Sequence, residues 1–401
     1  MVAMVEEINK VGVVGLGTMG AGIVEVFARA GFTVTGVEID DAALERGRTH
    51  LEKSLAKAVA KGKLTEDEQR AILGRVTFTT SRDDLADAHL AVEAVPERLD
   101  IKRSVFADLD RILPPAAILA TNTSSLSVTE IAALTSRPGK VIGLHFFNPA
   151  PVMRLVEIVT TVVTEPHVRE TATQVVTRLG KTPVAVGDRA GFVANALLVP
   201  YLNHAVAVYE QGLATREQID AAITSAAGFP MGPLTLMDLV GLDVLLDVMD
   251  VLWDEFRRPR YAAAPLLRRM VAAGLLGRKS GRGFYDYSGA DNPAEPEPTA
   301  PLAQLVGDGP GQISLADLLL VPHLNDAARM IGDGYATADD VDTAMRLGCG
   351  YPKGLAAMLD ERGVKNVTET LAELAAAGLF TDDTAPLLTM LAKQGKDTLR
   401  S

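Results

Sequence analysis

The stretch LLVPYLNHA at 197–205 returns as LLVPHLNDA at 319–327. Held without a gap from 197 to 241, the same offset makes 17 of 45 positions identical, among them Gly212 with Gly334, Asp220 with Asp342, Pro230 with Pro352, Gly232 with Gly354 and Asp238 with Asp360. Chance would supply only a few such matches, so the second half of the chain is one helical unit used twice. Its first copy spans 190–287, in runs such as FVANALLVPYLNHAVAVYEQG and REQIDAAITSAAG, and its second spans 312–401. Between them, SGADNPAEPEPTAPLAQLVGDGPG at 288–311 is rich in Pro, Gly and acidic residues and reads as a flexible or extended linker.

Residues 1–189 follow another rule. Strand-like runs at 10–16, 33–38, 76–79, 89–95 and 116–121 alternate with helical patterns, the first of them at 20–31. Such alternation predicts a Rossmann-like, doubly wound parallel sheet. An inserted helical hairpin is expected at 41–73, broken at Gly62-Lys63. The fold class is therefore α/β plus all-α: a Rossmann-like domain followed by two tandem helical domains, which suits a chain of 401 residues.

Within the sheet domain, GLGTMG at 15–20 sets Gly15, Gly17 and Gly20 in the G-x-G-x-x-G spacing. The hexapeptide alone says little. Its context says more, because it follows an apolar strand, opens a helix, and has Glu38 at the end of the next strand. Glycines allow a tight turn and close approach of backbone to a pyrophosphate, whose charge the helix N-terminus meets. Glu38 would accept from ribose hydroxyls and repel a 2′-phosphate, which favours NAD over NADP. Asp40 and Asp41 are taken as solvated.

GLHFFNPAPVMRLVEIV, from Gly143 to Val159, places His145 and Glu157 in two apolar runs joined by Asn148, Pro149, Ala150 and Pro151. The runs, 141–147 and 153–160, read as paired strands. Paired, they can set the carboxylate against the imidazole, fixing its tautomer and supporting its protonated form, as a general base requires. A satisfied core histidine is the alternative. In HLEKSLAKAVAKGKL, Lys53, Lys57 and Lys61 line one helical face with Lys63 beyond, which suits either a solvated face or a site for a phosphorylated ligand.

Composition narrows the classes. A formal net charge of −12 disfavours nucleic acid as partner. No run of about 20 apolar residues is present and the opening MVAMVEEINK lacks the form of a signal peptide, so no membrane association is expected. The single Cys349 rules out an internal disulfide and a cysteine-rich metal site, and a cytoplasmic location is expected, with no metal.

Taken together, GLGTMG, AVEAVPE (91–97), TNTSSLS (121–127), GLHFFNP (143–149), GFVANALLVP (191–200), MGPLTLMDLVGLD (231–243) and GRKSGRGFYDY (277–287) make residues 8–287 resemble the L-3-hydroxyacyl-CoA dehydrogenases of the 3-hydroxybutyryl-CoA type. The resemblance implies His145 as general base on the substrate hydroxyl, with Glu157 orienting it. It implies that Ser124 and Asn195 bond the reacting oxygen or the thioester carbonyl. NAD contacts are implied for Thr18, Met19, Glu97, Lys102, Asn122, Asn148 and Lys279 besides the glycines and Glu38. CoA contacts are implied for Ser54 and Lys61, which moves Lys61 to the ligand reading and leaves Lys53 and Lys57 open.

The second helical copy departs from the short form of the family. The position of Asn195 holds Asp317 there and that of Ala227 holds Cys349, so this copy is read as structural. By analogy with longer relatives it takes a partner's place in cis, making the chain a monomeric pseudo-dimer; a homodimer is the alternative. Short-chain 3-hydroxybutyryl-CoA is the expected substrate. A 3-hydroxyadipyl-CoA dehydrogenase of aromatic-acid breakdown, with Arg154 as a candidate for the distal carboxylate, and a non-catalytic NAD-binding structural protein are the alternatives.

Overall fold

The computed structural model describes residues 8–289, 295, 298, 300–307, 309 and 311–400. They form two compact units, 1–192 and 193–401. In the first, β1 (Lys10–Val14), β2 (Thr33–Val37), β3 (Val76–Thr79), β4 (Leu90–Glu93), β5 (Ile118–Thr121), β6 (Val141–Phe146), β7 (Leu155–Thr160) and β8 (Thr182–Gly187) make one sheet in the order β3-β2-β1-β4-β5-β6-β7-β8. Neighbours run parallel except β6 and β7, which are antiparallel. Reversal of strand order beside β1 leaves a crevice at the carboxyl ends of β1 and β4, where α/β sheets bind ligands.

Helices α1 (Thr18–Arg29), α2 (Asp41–Ala60), α3 (Glu66–Leu73), α4 (Leu99–Ile112), α5 (Val128–Ala132) and α6 (Pro166–Arg178) complete this unit. α1 carries Ile23, Val24 and Phe27 into a core shared with Val11, Val13 and Val34 of the sheet. The expected hairpin is α2 and α3; Gly62, at φ +65°, breaks it, and Thr65 caps α3 in a reciprocal box with Glu68. Strand β8, which the sequence pattern did not announce, is a six-residue edge strand with Pro183 as its second residue, a place where a sheet tolerates proline.

Among its described residues the second unit has helices and a few isolated bridges, with no strand of a sheet. Its first copy contains α7 (Ala194–Glu210), α8 (Arg216–Ala226), α9 (Pro233–Val240), α10 (Leu242–Phe256) and α11 (Pro265–Ala272). Its second contains α12 (Leu315–Gly332), α13 (Ala338–Cys349), α14 (Leu355–Arg362), α15 (Val364–Ala376) and α16 (Pro386–Lys393). The repeated residues do the same work in each. Asp220 accepts from the amides of Leu234 and Thr235, and Asp342 from those of Ala356 and Ala357. A Cβ on Gly232 would lie 2.3 Å from Asp220, and one on Gly354 2.1 Å from Asp342, so each aspartate demands its glycine. Asn203 donates to Ala262 O and accepts from Ala264 N; Asn325 does the same with Asp383 O and Ala385 N.

The copies face each other about a twofold axis. α12 packs on α8 as α7 packs on α13. Tyr201 stacks on its own counterpart His323, with ring centroids 4.6 Å apart, and Phe229 meets its own counterpart Tyr351 at 4.4 Å. Equivalent residues touch each other only on a symmetry axis. The expected linker at 288–311 lies partly outside the described residues. Where described it is held: Glu295 accepts from Tyr209 Oη at 2.6 Å, 301–305 form a turn of 3₁₀-helix, and Val306 bridges Ile313. Glu295 finds its partners on the helices, in Tyr209 and Arg216, which a composition-based reading as extended chain does not anticipate.

Candidate active site

Register decides the first feature. Antiparallel pairing of β6 with β7 sets His145 directly opposite Glu157. Nδ1 of His145 lies 2.7 Å from Oε2 of Glu157, and both side chains are buried. A carboxylate can only accept, so Nδ1 carries a proton and, in the neutral ring, Nε2 presents its lone pair. Rings of Phe147 and Phe192 flank the imidazole at 4.5 and 5.5 Å. Phe192 sits at φ +48°, a left-handed conformation that costs a bulky residue about 1 kcal/mol or more and is held here by burial.

The glycine loop fits a dinucleotide on steric grounds. Gly15 adopts φ +91°, and a Cβ there would lie 2.8 Å from the carbonyl of Ala94. Gly20 passes so close to the carbonyl of Gly15 that any side chain would overlap it. Gly17 is different. As N-cap of α1 it is exposed, and a Cβ on it would meet nothing within 4 Å, leaving an open cradle over the helix N-terminus. Thr18 and Met19 form the first turn behind it. Glu38 is fixed by the amides of Leu16 (2.6 Å) and Ile39 (2.9 Å), and its oxygens retain acceptor capacity for a ribose diol.

A buried ionic network underlies the loop after β5. Lys102, 1% exposed, reaches both oxygens of fully buried Glu93 at 2.8 and 2.9 Å and Glu97 at 3.1 Å. Glu93 also accepts from Thr121 Oγ1 and Val95 N. Glu97 accepts from Thr123 Oγ1, from Ser125 Oγ and from the amides of Ser124 and Ser125. Burial pushes the Glu97 carboxyl upward, but the charge of Lys102 and the hydroxyl and amide donors outweigh it and hold the group below its ordinary value. Lys102, expected at the cofactor, thus has its ammonium inside the protein, where it fixes Glu97 and through it the backbone of Ser124. Glu93 was missed. Its signal was available, because a carboxylate inside the apolar run LAVEAV needs a cation, and Lys102 is the next lysine along the chain.

Asn122 accepts from the amide of Phe146 at 2.9 Å, tying the end of β5 to the strand of His145. Thr18, Ser54 and Asn148 line one cavity of about 220 Å³ together with Lys53 and Glu25. Lys61 is exposed at the C-cap of α2, beyond that cavity. A second overlooked residue is Lys181, whose Nζ donates to the carbonyls of Ala150 and Met153, each at 2.6 Å, bracing the turn between the two strands of the His–Glu pair. Burial lowers its pKa to about 8, against the opposing charge of Glu25. The side chain of Arg154 is exposed. In the other unit, Asn195 is half-buried in the first turn of α7, and Lys279 pairs with Asp243.

The model of the 3-hydroxyacyl-CoA dehydrogenase NAD-binding domain matches residues 10–189, and that of the C-terminal domain matches twice, at 191–287 and 316–400. The chain belongs to the 3-hydroxyacyl-CoA dehydrogenase family. It is an NAD-dependent oxidoreductase of that family, and its duplicated second half is two copies of the family's own C-terminal domain. A 3-hydroxybutyryl-CoA dehydrogenase of Mycobacterium tuberculosis is 51% identical over 286 residues, 71% of this chain and all of that one. A crystal structure of a 3-hydroxybutyryl-CoA dehydrogenase of Escherichia coli K12 superposes with a TM-score of 0.89 at 32% identity, covering 97% of this chain and 99% of the other. A 3-hydroxyadipyl-CoA dehydrogenase of E. coli K12 is 42% identical over 288 residues, 71% of this chain and 60% of its own length. Among the described residues no helix is long and apolar enough to cross a membrane.

Proposed function

We propose that this enzyme interconverts short-chain (S)-3-hydroxyacyl-CoA and 3-oxoacyl-CoA, with 3-hydroxybutyryl-CoA as the preferred hydroxy substrate. The observation that carries the reading is the buried contact of His145 with Glu157. In oxidation, Nε2 of His145 takes the proton of the 3-hydroxyl. Bound NAD supplies the hydride acceptor at C3. The imidazolium left behind is stabilised by Glu157, which already holds the Nδ1 proton and keeps the ring in place. In reduction the same imidazolium returns its proton to the oxygen of the ketone. Ser124 and Asn195 hydrogen-bond the reacting oxygen or the thioester carbonyl, and Ser54 and Lys61 hold the CoA. Thr18, Met19, Asn122, Asn148 and Lys279 contact the cofactor beside the glycines and Glu38, and Glu97 does so from its anchored position.

The test is loss of NADH absorbance on adding acetoacetyl-CoA, in parallel with NADPH and with free acetoacetate. Oxidation of NADH by the CoA ester alone is expected. His145→Ala should lower turnover by about 10³-fold or more while NADH still binds; unchanged turnover would remove His145 from the mechanism. Rapid reduction of a dicarboxylic 3-oxoacyl-CoA with none of acetoacetyl-CoA would transfer the reading to the adipyl class.

The second helical copy occupies the place of a partner subunit, so the chain is read as a monomeric pseudo-dimer, and sedimentation equilibrium should return the mass of one chain across dilution. The same reading puts it in the cytoplasm, in keeping with its bacterial relatives and single cysteine.

A further inference from the structure

The pseudo-twofold axis makes it possible to ask what each copy would meet if it paired with its own kind. Off the axis, Arg260 of the first copy forms an ion pair with Asp326 of the second and lies 3.5 Å from Asp382. Their side chains are only 10%, 7% and 15% exposed. Arg329 is the other cation near them and donates to the carbonyl of Asp383. Two cations and two carboxylates therefore balance. The symmetry-related place on the other side of the axis holds the counterparts of these residues: His204 for Asp326, Ala207 for Arg329 and, after the one-residue shift seen in the asparagine contacts, Thr381 for Arg260 and Tyr261 for Asp382. That place is neutral, because burial disfavours the charged form of His204, whose Nε2 contacts the carbonyl of Leu318.

Two first copies in the same arrangement would set Arg260 against His204 and Tyr261 on both sides of the axis, each side holding a buried cation with no carboxylate. Two second copies would set Asp326 and Asp382 against Thr381 on both sides, with Arg329 as sole cation and one negative charge in excess each time. Only the mixed pair is neutral on both sides. We propose that Arg260, Asp326 and Asp382 are a charge code that makes the two helical copies specific for each other, so that this face accepts the second copy and rejects another first copy. The code rests on the pseudo-dimer reading above. It operates by making the wrong pairings costly, since an unpaired buried charge is penalised far more than a matched pair is rewarded.

A charge-swap series in the full-length chain tests it, followed by thermal melting and sedimentation equilibrium. Arg260→Asp should lower the melting temperature by roughly 10 °C. Adding Asp326→Arg to that variant should restore most of the loss, whereas Asp326→Arg alone should be as damaging as Arg260→Asp alone. Should the single reversals fail to fold, Asp382→Asn provides a milder measure: its effect in the native background should disappear or change sign when Arg260 is replaced by Met. Additive effects in both series, in a chain that sediments as a monomer, would overturn the charge code while leaving the pseudo-dimer standing. A stable dimer of the native chain, abolished by Arg260→Asp, would overturn both.

Discussion

The two helical copies began as the same domain, and they have kept different things. Both retain the aspartate that caps the next helix, its facing glycine, and the buried asparagine of the first helix that holds the start of the last. The surface around the proposed substrate amide has changed. In the first copy Leu239, Val240 and Val244 are exposed apolar residues, and Lys279 approaches Gly241. In the second copy those places hold Glu361, Arg362 and Asn366, while Asp397 approaches Gly363 where Lys279 approached Gly241. Asp317, standing for Asn195, is engaged by Arg362, standing for Val240. An amide that can donate has become a carboxylate that cannot, and an apolar face has become a charged one. Scaffold residues answer to packing that both copies share; on the proposed function, ligand residues answer to a substrate that only the first copy meets.

The largest effect expected from breaking this contrast is on turnover. Asn195→Asp gives the first copy the residue of the second and, on the proposed role of Asn195, removes a donor to the reacting oxygen or the thioester carbonyl and puts a negative charge beside it. Steady-state kinetics should show kcat reduced by about 10²–10³-fold with the melting temperature nearly unchanged. The reciprocal Asp317→Asn should leave kcat alone and change stability by under about 1 kcal/mol, since the pair with Arg362 is about one-third exposed. Loss of activity in Asp317→Asn would mean that the second copy takes part in the reaction.

That division explains what could be read before the fold was seen. Strand alternation, the glycine turn and the His145–Glu157 pair were legible because period, motif and turn lie close together in sequence. The duplication was legible because its identities are dense. Lys102 was misplaced in part, since nothing local distinguishes a lysine that touches a ligand from one folded inward onto Glu93; burial decides, and burial is tertiary. Lys181 was invisible for the same reason, its partners being carbonyls of Ala150 and Met153 that any residue type could have provided. Pro183 hid β8 by interrupting its strand pattern.

A second, smaller contrast concerns what the copies share. Asn203→Ala and Asn325→Ala should each leave a buried amide and a carbonyl without their partner, costing about 2 kcal/mol apiece in urea unfolding. Near-equal losses are the expected result. A loss confined to one copy would show that the duplicated contact has been kept by descent and not by need.

The smallest effect is a matter of slope. On the axis the first copy puts Tyr201 and the second His323, which is 1% exposed and meets Tyr351 Oη through Nε2 at 3.0 Å. Burial, with the charge of Arg260 and then His204 adding to it, lowers the pKa of His323 to about 3 from 6.5. In the unfolded chain the imidazole takes a proton as pH falls below its ordinary value, whereas the folded chain refuses one until about pH 3. Stability must therefore fall as pH falls through that window, by about 1.4 kcal/mol per pH unit from this residue once the unfolded form is fully protonated. Tyr201 stays neutral throughout, so on the axis itself the acid sensitivity comes from the second copy. His323→Phe keeps a ring on the axis and loses the bond to Tyr351, which displaces the whole stability curve at every pH. The slope between pH 6 and pH 4 is free of that offset: urea melts across the range should show it reduced in the variant, with the remainder coming from His204, whose burial acts in the same direction, and from the carboxylates. Equal slopes in the two proteins would mean that His323 gains its proton in the folded state, and hence that the second copy yields on its axis where the first does not.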